Sequence, residues 1–219
     1  MESLIKTGAI YEIIKQELLT LPGESAHKEM VPFRTLSSIA KPGKNAKESA
    51  VLCLLSTYQD DITITLMERT KDSSPHSGQI SLPGGKKENF DLNLAATALR
   101  ETEEEIGILP RNVSILGKLT PIYIPVSNFS VQPFIGQVKT ETPFILSEKE
   151  VQSVFKITVR DLLNPRNNIK KDIPNHLGQT LKNVPCFFIN DRIIWGATSI
   201  ILNEFKVVIE NIIAKKNTH

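Results

Sequence analysis

Cysteine, tryptophan and long apolar runs are scarce in this sequence. Two cysteines, Cys53 and Cys186, and one tryptophan, Trp195, occur in 219 residues. The cysteines form no C-x-x-C pair, which argues against a zinc site or a dithiol redox motif. Each sits in an apolar, strand-like run and is expected as a buried hydrophobe. No run of eighteen apolar residues occurs, so no membrane-spanning helix is expected. The first residues, Met1-Glu2-Ser3-Leu4-Ile5-Lys6, lack the apolar core of a secretory signal. A cytoplasmic protein with reduced thiols is the expectation. An excess of either charge is also missing. The net charge of +2, with 23% charged residues, suggests neither disorder nor a basic nucleic-acid surface. A small-molecule partner is expected, with no nucleic acid and no membrane.

What is present reads as one domain with an extension. Apolar residues at Leu4, Ile5, Ala9, Ile10, Ile13, Ile14 and Leu18 have helical spacing, and Leu21-Pro22-Gly23 stops that helix. Residues 21–48 are rich in Pro, Gly, Lys and Ser and read as a connection, with a boundary at Lys41-Pro42-Gly43-Lys44-Asn45. We therefore expect an N-terminal helical extension and linker over 1–45 and the main domain over 46–216. The extension can cover that domain or mediate a homodimer. Residues 50–55 and 62–67 pattern as a hairpin across Gln59-Asp60-Asp61. A Ser-, Gly- and Pro-containing loop over 70–85 leads to a helix at about 92–106. Further strands are expected at 113–119, 129–138, 154–158 and 184–189, and a helix from Trp195 to Ala214. Mixed strands and helices predict an α/β fold.

The helix at 92–106 carries the densest chemistry. Asp91 or Asn93 can cap its start, and Gly107 suits the left-handed residue past its end. With Glu101 at zero on a wheel of about 100° per residue, Glu105 lies near ~40° and Glu104 near ~300°. The three carboxylates share one shoulder beside the apolar face of Ala95, Ala98, Leu99, Thr102 and Ile106, while Glu103 points to solvent. Alone, such a cluster is unfavourable. Like charges at these spacings repel by a few tenths of a kcal/mol per pair, and acids in a last turn oppose the helix dipole by about 0.3–1 kcal/mol each. A divalent cation would offset both, and oxygen-only ligands suit Mg²⁺ or Mn²⁺. Arg100 can reach Glu104 at i+4. Upstream, Gly84-Gly85 offers a backbone turn that can approach a phosphate closely.

The segment from Gly85 to Ile108 resembles the Nudix box, G-x5-E-x7-R-E-U-x-E-E-x-G-U. Arg100, Glu101, Glu104, Glu105, Gly107 and Ile108 fall on its positions. Thr102 replaces the usual aliphatic residue. Counted from Arg100, the pattern's acid falls on Leu92, whereas the acid here is Asp91, so the turn before the helix is one residue longer. The preceding Leu66-Met67-Glu68-Arg69-Thr70 and His76-Ser77-Gly78-Gln79-Ile80-Ser81-Leu82-Pro83-Gly84-Gly85 resemble the added signature of coenzyme A diphosphatases, with Leu82 where Phe is usual. Residues 123–129 and 194–198 are similar to that subgroup as well.

The resemblance implies a Nudix-type α/β/α sandwich with a mixed β-sheet, preceded by the N-terminal helix. It implies hydrolysis of coenzyme A or its thioesters to 3′,5′-ADP and (acyl-)4′-phosphopantetheine. It assigns Glu101 and Glu105 as metal ligands, and Glu104 to a second metal or to the attacking water. Arg100 would hold the glutamates, and Gly85 would present backbone near the metal. Arg69 can meet a phosphate or form a surface ion pair. His76 and Gln79 can contact substrate or brace their loop. Glu150 reads more simply as a solvated charge at an element start than as a ligand or base. Trp195 reads as core and Lys215-Lys216 as a solvated tail. The alternatives are another nucleoside diphosphate substrate such as ADP-ribose, a nucleoside triphosphate, or a binding module without turnover.

Overall fold

The computed structural model describes residues 9–31, 42–71, 76–140, 142–174 and 178–217. Two long runs of aliphatic and β-branched residues set its frame. Strands β1 (Lys47–Tyr58) and β2 (Asp61–Arg69) pair antiparallel. Gln59 and Asp60 turn between them with φ of 46° and 61°, the left-handed pair that a tight two-residue hairpin needs. Strand β1 is covered from both sides. Ala50, Leu52 and Leu54 belong to one apolar cluster, and Cys53 and Leu55 to another, following the two-residue period of a strand.

The sheet grows outward from that hairpin. Strands β3 (Ile80–Ser81) and β4 (Gly84–Lys86) pair with β2 and β1 respectively. Beyond β1, strands β5 (Val113–Lys118) and β6 (Ile122–Ile124) both pair antiparallel with β7 (Phe129–Val138), which runs parallel to β1. On the other side of the hairpin, β8 (Val151–Thr158) pairs with β2. The result is a mixed eight-stranded sheet.

Helix α3 (Leu94–Ile106) lies on one face, with Ala98 and Ile106 packed among Leu52, Leu54 and Met67. On the other face lie α1 (Ala9–Glu17) and the C-terminal α5 (Gly196–Asn217), through Ile10, Ile14, Phe205, Val208 and Ile209. Between the strands and α5 come a short helix α4 (Val159–Leu163) and a three-stranded antiparallel sheet. Its strands are β9 (Asn168–Pro174), β10 (Thr180–Ile189) and β11 (Arg192–Ile194). The protein is thus an α/β fold, a mixed sheet between helical layers, as expected. Among the described residues no helix is long and apolar enough to cross a membrane. Both cysteines are free and buried.

Several details depart from what the sequence predicts. The helix expected from residue 4 is described from Ala9, residues 4–8 lying outside the described residues. Within the expected connection at 21–48, a six-residue helix α2 (Glu24–Glu29) forms. Its stabilisation is tertiary: Ala26 and His27 are buried with Met30, too short a run to show a helical period. Strands β6, β9 and β11 and helix α4 are further additions. They are short or rich in charge, so they carry no clear local period. Lys215 is no free tail charge, because its ammonium donates to both carboxylate oxygens of Glu17 at 2.9 and 2.7 Å.

One polar cluster ties the N-terminal segment to the sheet. Glu204 of α5 is fully buried. It accepts from Gly23 N at 3.2 Å, Thr120 N at 3.0 Å and Thr120 Oγ1 at 2.6 Å, and meets His27 Nε2 at 3.0 Å. Four polar groups from three residues therefore depend on one carboxylate. We predict that Glu204→Ala destabilises the protein by about 3–5 kcal/mol, because it strands these groups in the interior. Glu204→Gln, which keeps one acceptor oxygen, should cost less. Urea unfolding of the two variants checks this; equal, small losses would show that the cluster is dispensable.

Candidate active site

The site begins with how helix α3 is held at its ends. Asn93 caps its start, accepting from Ala96 N at 3.0 Å, so the cap is Asn93 rather than Asp91. At the far end Gly107 takes a φ of 77° and donates to Glu103 O. Ile145 N and Ser147 N donate to the carbonyls of Ile106 and Glu105. These donors satisfy the orphan carbonyls of the last turn and bring the chain toward Glu150.

Asp91 finds its role beside the cap. Its buried carboxylate receives Arg100 Nε on Oδ1 and Arg100 Nη2 on Oδ2, both at 2.9 Å, together with Thr97 Oγ1 and Glu88 N. The Arg100 guanidinium holds this carboxyl well below the usual range. Leu92, which follows it, is 93% exposed, and with the longer turn the acid still reaches the arginine. Arg100 also donates through Nη1 to Glu101 at 2.8 Å and Glu104 at 2.9 Å, and through Nη2 to the Lys86 carbonyl at 3.0 Å. All five of its N–H groups are engaged, and these acceptors raise its own pKa further.

The three glutamates of the shoulder therefore differ. Glu104 is exposed, Glu101 is half-buried, and Glu105 is 1% exposed. Glu105 accepts from Gly84 N at 2.8 Å and meets Arg69 Nη1 at a longer 3.4 Å. Burial pushes Glu105 up to about 8, helped by the Glu101 and Glu150 carboxylates and opposed by Gly84 and Arg69. Burial raises Glu101 as well, with Arg100 pulling the other way. The two glycines of β4 permit this approach. A Cβ on Gly85 would run into the Glu101 carboxylate, and one on Gly84, at a φ of 145°, into the backbone of Ala50 and Val51.

Among the described residues no three Asp, Glu, His or Cys groups are arranged to hold an ion. Arg100 draws Glu101 and Glu104 to itself, while Gly84 and Arg69 engage Glu105. The donor chemistry nevertheless fits a hard cation. Two oxygen-only carboxylates, both raised in pKa by burial, lie against the Gly84-Gly85 backbone of β4.

A cleft of about 710 Å³ opens in front of these groups. Glu101, Glu105, Arg69, His76, Gln79, Gly84 and Gly85 line it; Arg100 and Glu104 do not. His76 bridges its own loop and the turn after β6, meeting Gln79 Oε1 at 3.3 Å and Ser127 Oγ at 3.2 Å. Glu150 is exposed but also lines the cleft, placed there because Thr70 N donates to its carbonyl. No local pattern marks Glu150, since that pairing joins residues eighty apart. Trp195, read as core, stands half-buried on the cleft wall at the mouth of α5.

The chain is similar to several known proteins. The model of the NUDIX domain family matches residues 46–176. The Nudix hydrolase NudL of Pectobacterium atrosepticum, itself described as uncharacterized, is 30% identical over 171 residues, covering 78% of this chain and 87% of the relative. NudL of Yersinia pestis is 34% identical over 64% of this chain and 69% of its own length. A MutT/nudix family protein of known structure from Enterococcus faecalis covers 84% of this chain and 72% of its own, with 14% identity and a TM-score of 0.49.

The burial of Glu105 has a measurable consequence without metal. Its pKa stands near 8 when folded, against 4.5 ordinarily. Between those values the folded state holds the proton and the unfolded state does not, so stability falls as pH rises and levels off above the folded pKa. We predict that the chelator-treated protein loses stability from about pH 5 to pH 8, by at most about 1.4 kcal/mol for each pH unit crossed. Glu105→Gln is expected to remove most of that slope, the remainder coming from Glu101. Urea unfolding across this range is the check; parallel curves would show that burial does not hold a proton on Glu105.

Proposed function

The chain belongs to the NUDIX domain family and is a diphosphohydrolase of nucleoside diphosphate derivatives; we propose that its substrate is coenzyme A or a coenzyme A thioester. The products are then 3′,5′-ADP and 4′-phosphopantetheine or its acyl form. One observation supports the reading above the rest. The segment from His76 to Gly85, whose order resembles the coenzyme A diphosphatase signature, lines the cleft directly beside Glu101 and Glu105.

Each residue then has a distinct task. Glu101 and Glu105 would hold a divalent cation, Mg²⁺ or Mn²⁺. Such an ion would supply neutralisation of the diphosphate charge and a more acidic bound water. Arg100 fixes Glu101 and Glu104 by charge-assisted hydrogen bonds, and Asp91 fixes Arg100. Glu104, the most exposed of the three and outside the cleft lining, would take a second metal or orient the attacking water. Arg69 turns from Glu105 to a substrate phosphate, for which a guanidinium is suited. His76 and Gln79 shape the loop on which Gly84 and Gly85 sit and offer polar groups to the ligand.

The test is a product assay with Mg²⁺ or Mn²⁺ across coenzyme A, ADP-ribose and nucleoside triphosphates. Coenzyme A is expected to give the highest kcat/KM. Faster cleavage of ADP-ribose would move the assignment to that substrate. Glu105→Gln is expected to remove activity, by a factor of about 10³ or more, with far-UV circular dichroism unchanged. Near-wild-type turnover in that variant would sink the assignment of the metal site.

A further inference from the structure

One wall of the cleft is the start of α5. Trp195, Ala197, Thr198 and Ile201 line it, and Thr198 Oγ1 donates to the Ile80 carbonyl of β3 at 2.9 Å. Glu101 and Glu105 come from α3, in the other helical layer. The next turn of α5 is held by a part of the chain that does not line the cleft. Asn203, fully buried, donates through Nδ2 to the Ala26 carbonyl at 2.8 Å and to Glu29 Oε2 at 3.1 Å. Glu204 meets His27 Nε2 at 3.0 Å and accepts from Gly23 N at 3.2 Å. At roughly 100° per residue, Asn203 lies about 160° around the helix from Ile201, so α2 grips α5 from behind the cleft wall. Further along, Phe205, Val208 and Ile209 pack into the core. Apolar burial is non-directional, whereas hydrogen bonds weaken steeply off axis. The ties at Asn203 and Glu204 therefore set the rotation and register of the two turns that line the cleft.

We infer that residues 23–29 are a positioning element for the cleft: through His27 and Asn203 they fix where Trp195 to Ile201 stand, and thereby set KM. Asn203 carries a sign of this task. Its Oδ1 is buried with no hydrogen-bond partner among the described residues, a desolvation cost that an apolar residue would avoid. The position uses the amide for its donors, and both donors go to the N-terminal segment. The chemical step is held separately. Arg100 fixes Glu101, and Gly84 N fixes Glu105 on a strand paired with β1. Loosening α5 thus displaces the wall and leaves the carboxylates in place.

The experiment is steady-state kinetics with Mg²⁺, at a temperature where unfolding curves show each variant folded. The substrate is whichever of coenzyme A and ADP-ribose wild type cleaves faster, so a failure of the coenzyme A reading leaves this test intact. His27→Ala is expected to raise KM by about fivefold and to leave kcat within about twofold. Asn203→Ala, which removes the other tie, is expected to do the same. His27→Gln, which keeps an N–H donor, should restore KM. The chain's single tryptophan is a second readout: Trp195 stands where α5 begins, so its emission should shift in His27→Ala with far-UV circular dichroism unchanged. Lys215→Ala is the control. It cuts the tie to Glu17 about 26 Å along the helix from Thr198, at 1.5 Å per residue. It should lower stability without moving KM or Trp195 emission. An unchanged KM in folded His27→Ala and Asn203→Ala would overturn the inference. So would an equal rise in Lys215→Ala, which would mark the effect as general loosening of the fold.

Discussion

The site depends on one guanidinium. Arg100 sits on the same helix as the acids it serves, and its five donors are divided among Asp91, Glu101, Glu104 and the Lys86 carbonyl. That division links three pieces of chain: the turn before α3, the helix itself and the end of strand β4. Without it, the glutamates of the last turn would repel one another at a helix terminus that already carries negative potential. The amides of Ile145, Ser147 and Gly107, which donate to the last carbonyls, temper the same terminus from the other side. The acid cluster is tolerable because the surrounding chain supplies donors before any cation arrives.

A second constraint is steric. Helix α3 lies on one face of the sheet, yet the cleft is floored by residues of the other face, such as Val51 and Val131. The helix reaches the cleft because the sheet is open there. Strand β1 pairs with β2 near one end and with β4 near the other, and the short β3–β4 segment fills the gap. In that segment Gly84 and Gly85 present backbone where any side chain would collide with β1 or Glu101. The glycine pair is what lets carboxylates from one layer address a ligand in another.

Much of this was legible in the sequence, and for identifiable reasons. The strands around 50–55, 62–67 and 129–138 carry long apolar or alternating patterns, and the structure has strands at each. Helix α3 showed itself by its period and its terminal glycine. The wheel placed Glu101, Glu104 and Glu105 on one shoulder but could not rank their burial, which depends on β4 and the 145–151 segment. Asp91 looked misplaced because spacing was counted along the chain; in space its carboxylate still holds Arg100. Helix α2 and the cleft-lining position of Glu150 are held by contacts distant in sequence, so no local signal announces them.

The burial of Glu105 is the remaining tension, and it points back to function. A carboxylate that is almost wholly buried should have a matched cation, since an unpaired buried charge is costly. Here Gly84 N supplies one short hydrogen bond and Arg69 only a long one, and these leave the pKa near 8. A purely structural carboxylate would have been given a tighter partner, as Asp91 was given Arg100 and Glu204 its four polar neighbours. Glu105 is under-compensated while it faces a cleft shared with Glu101, Glu150 and the Gly84-Gly85 backbone. That imbalance is what a divalent cation would remove.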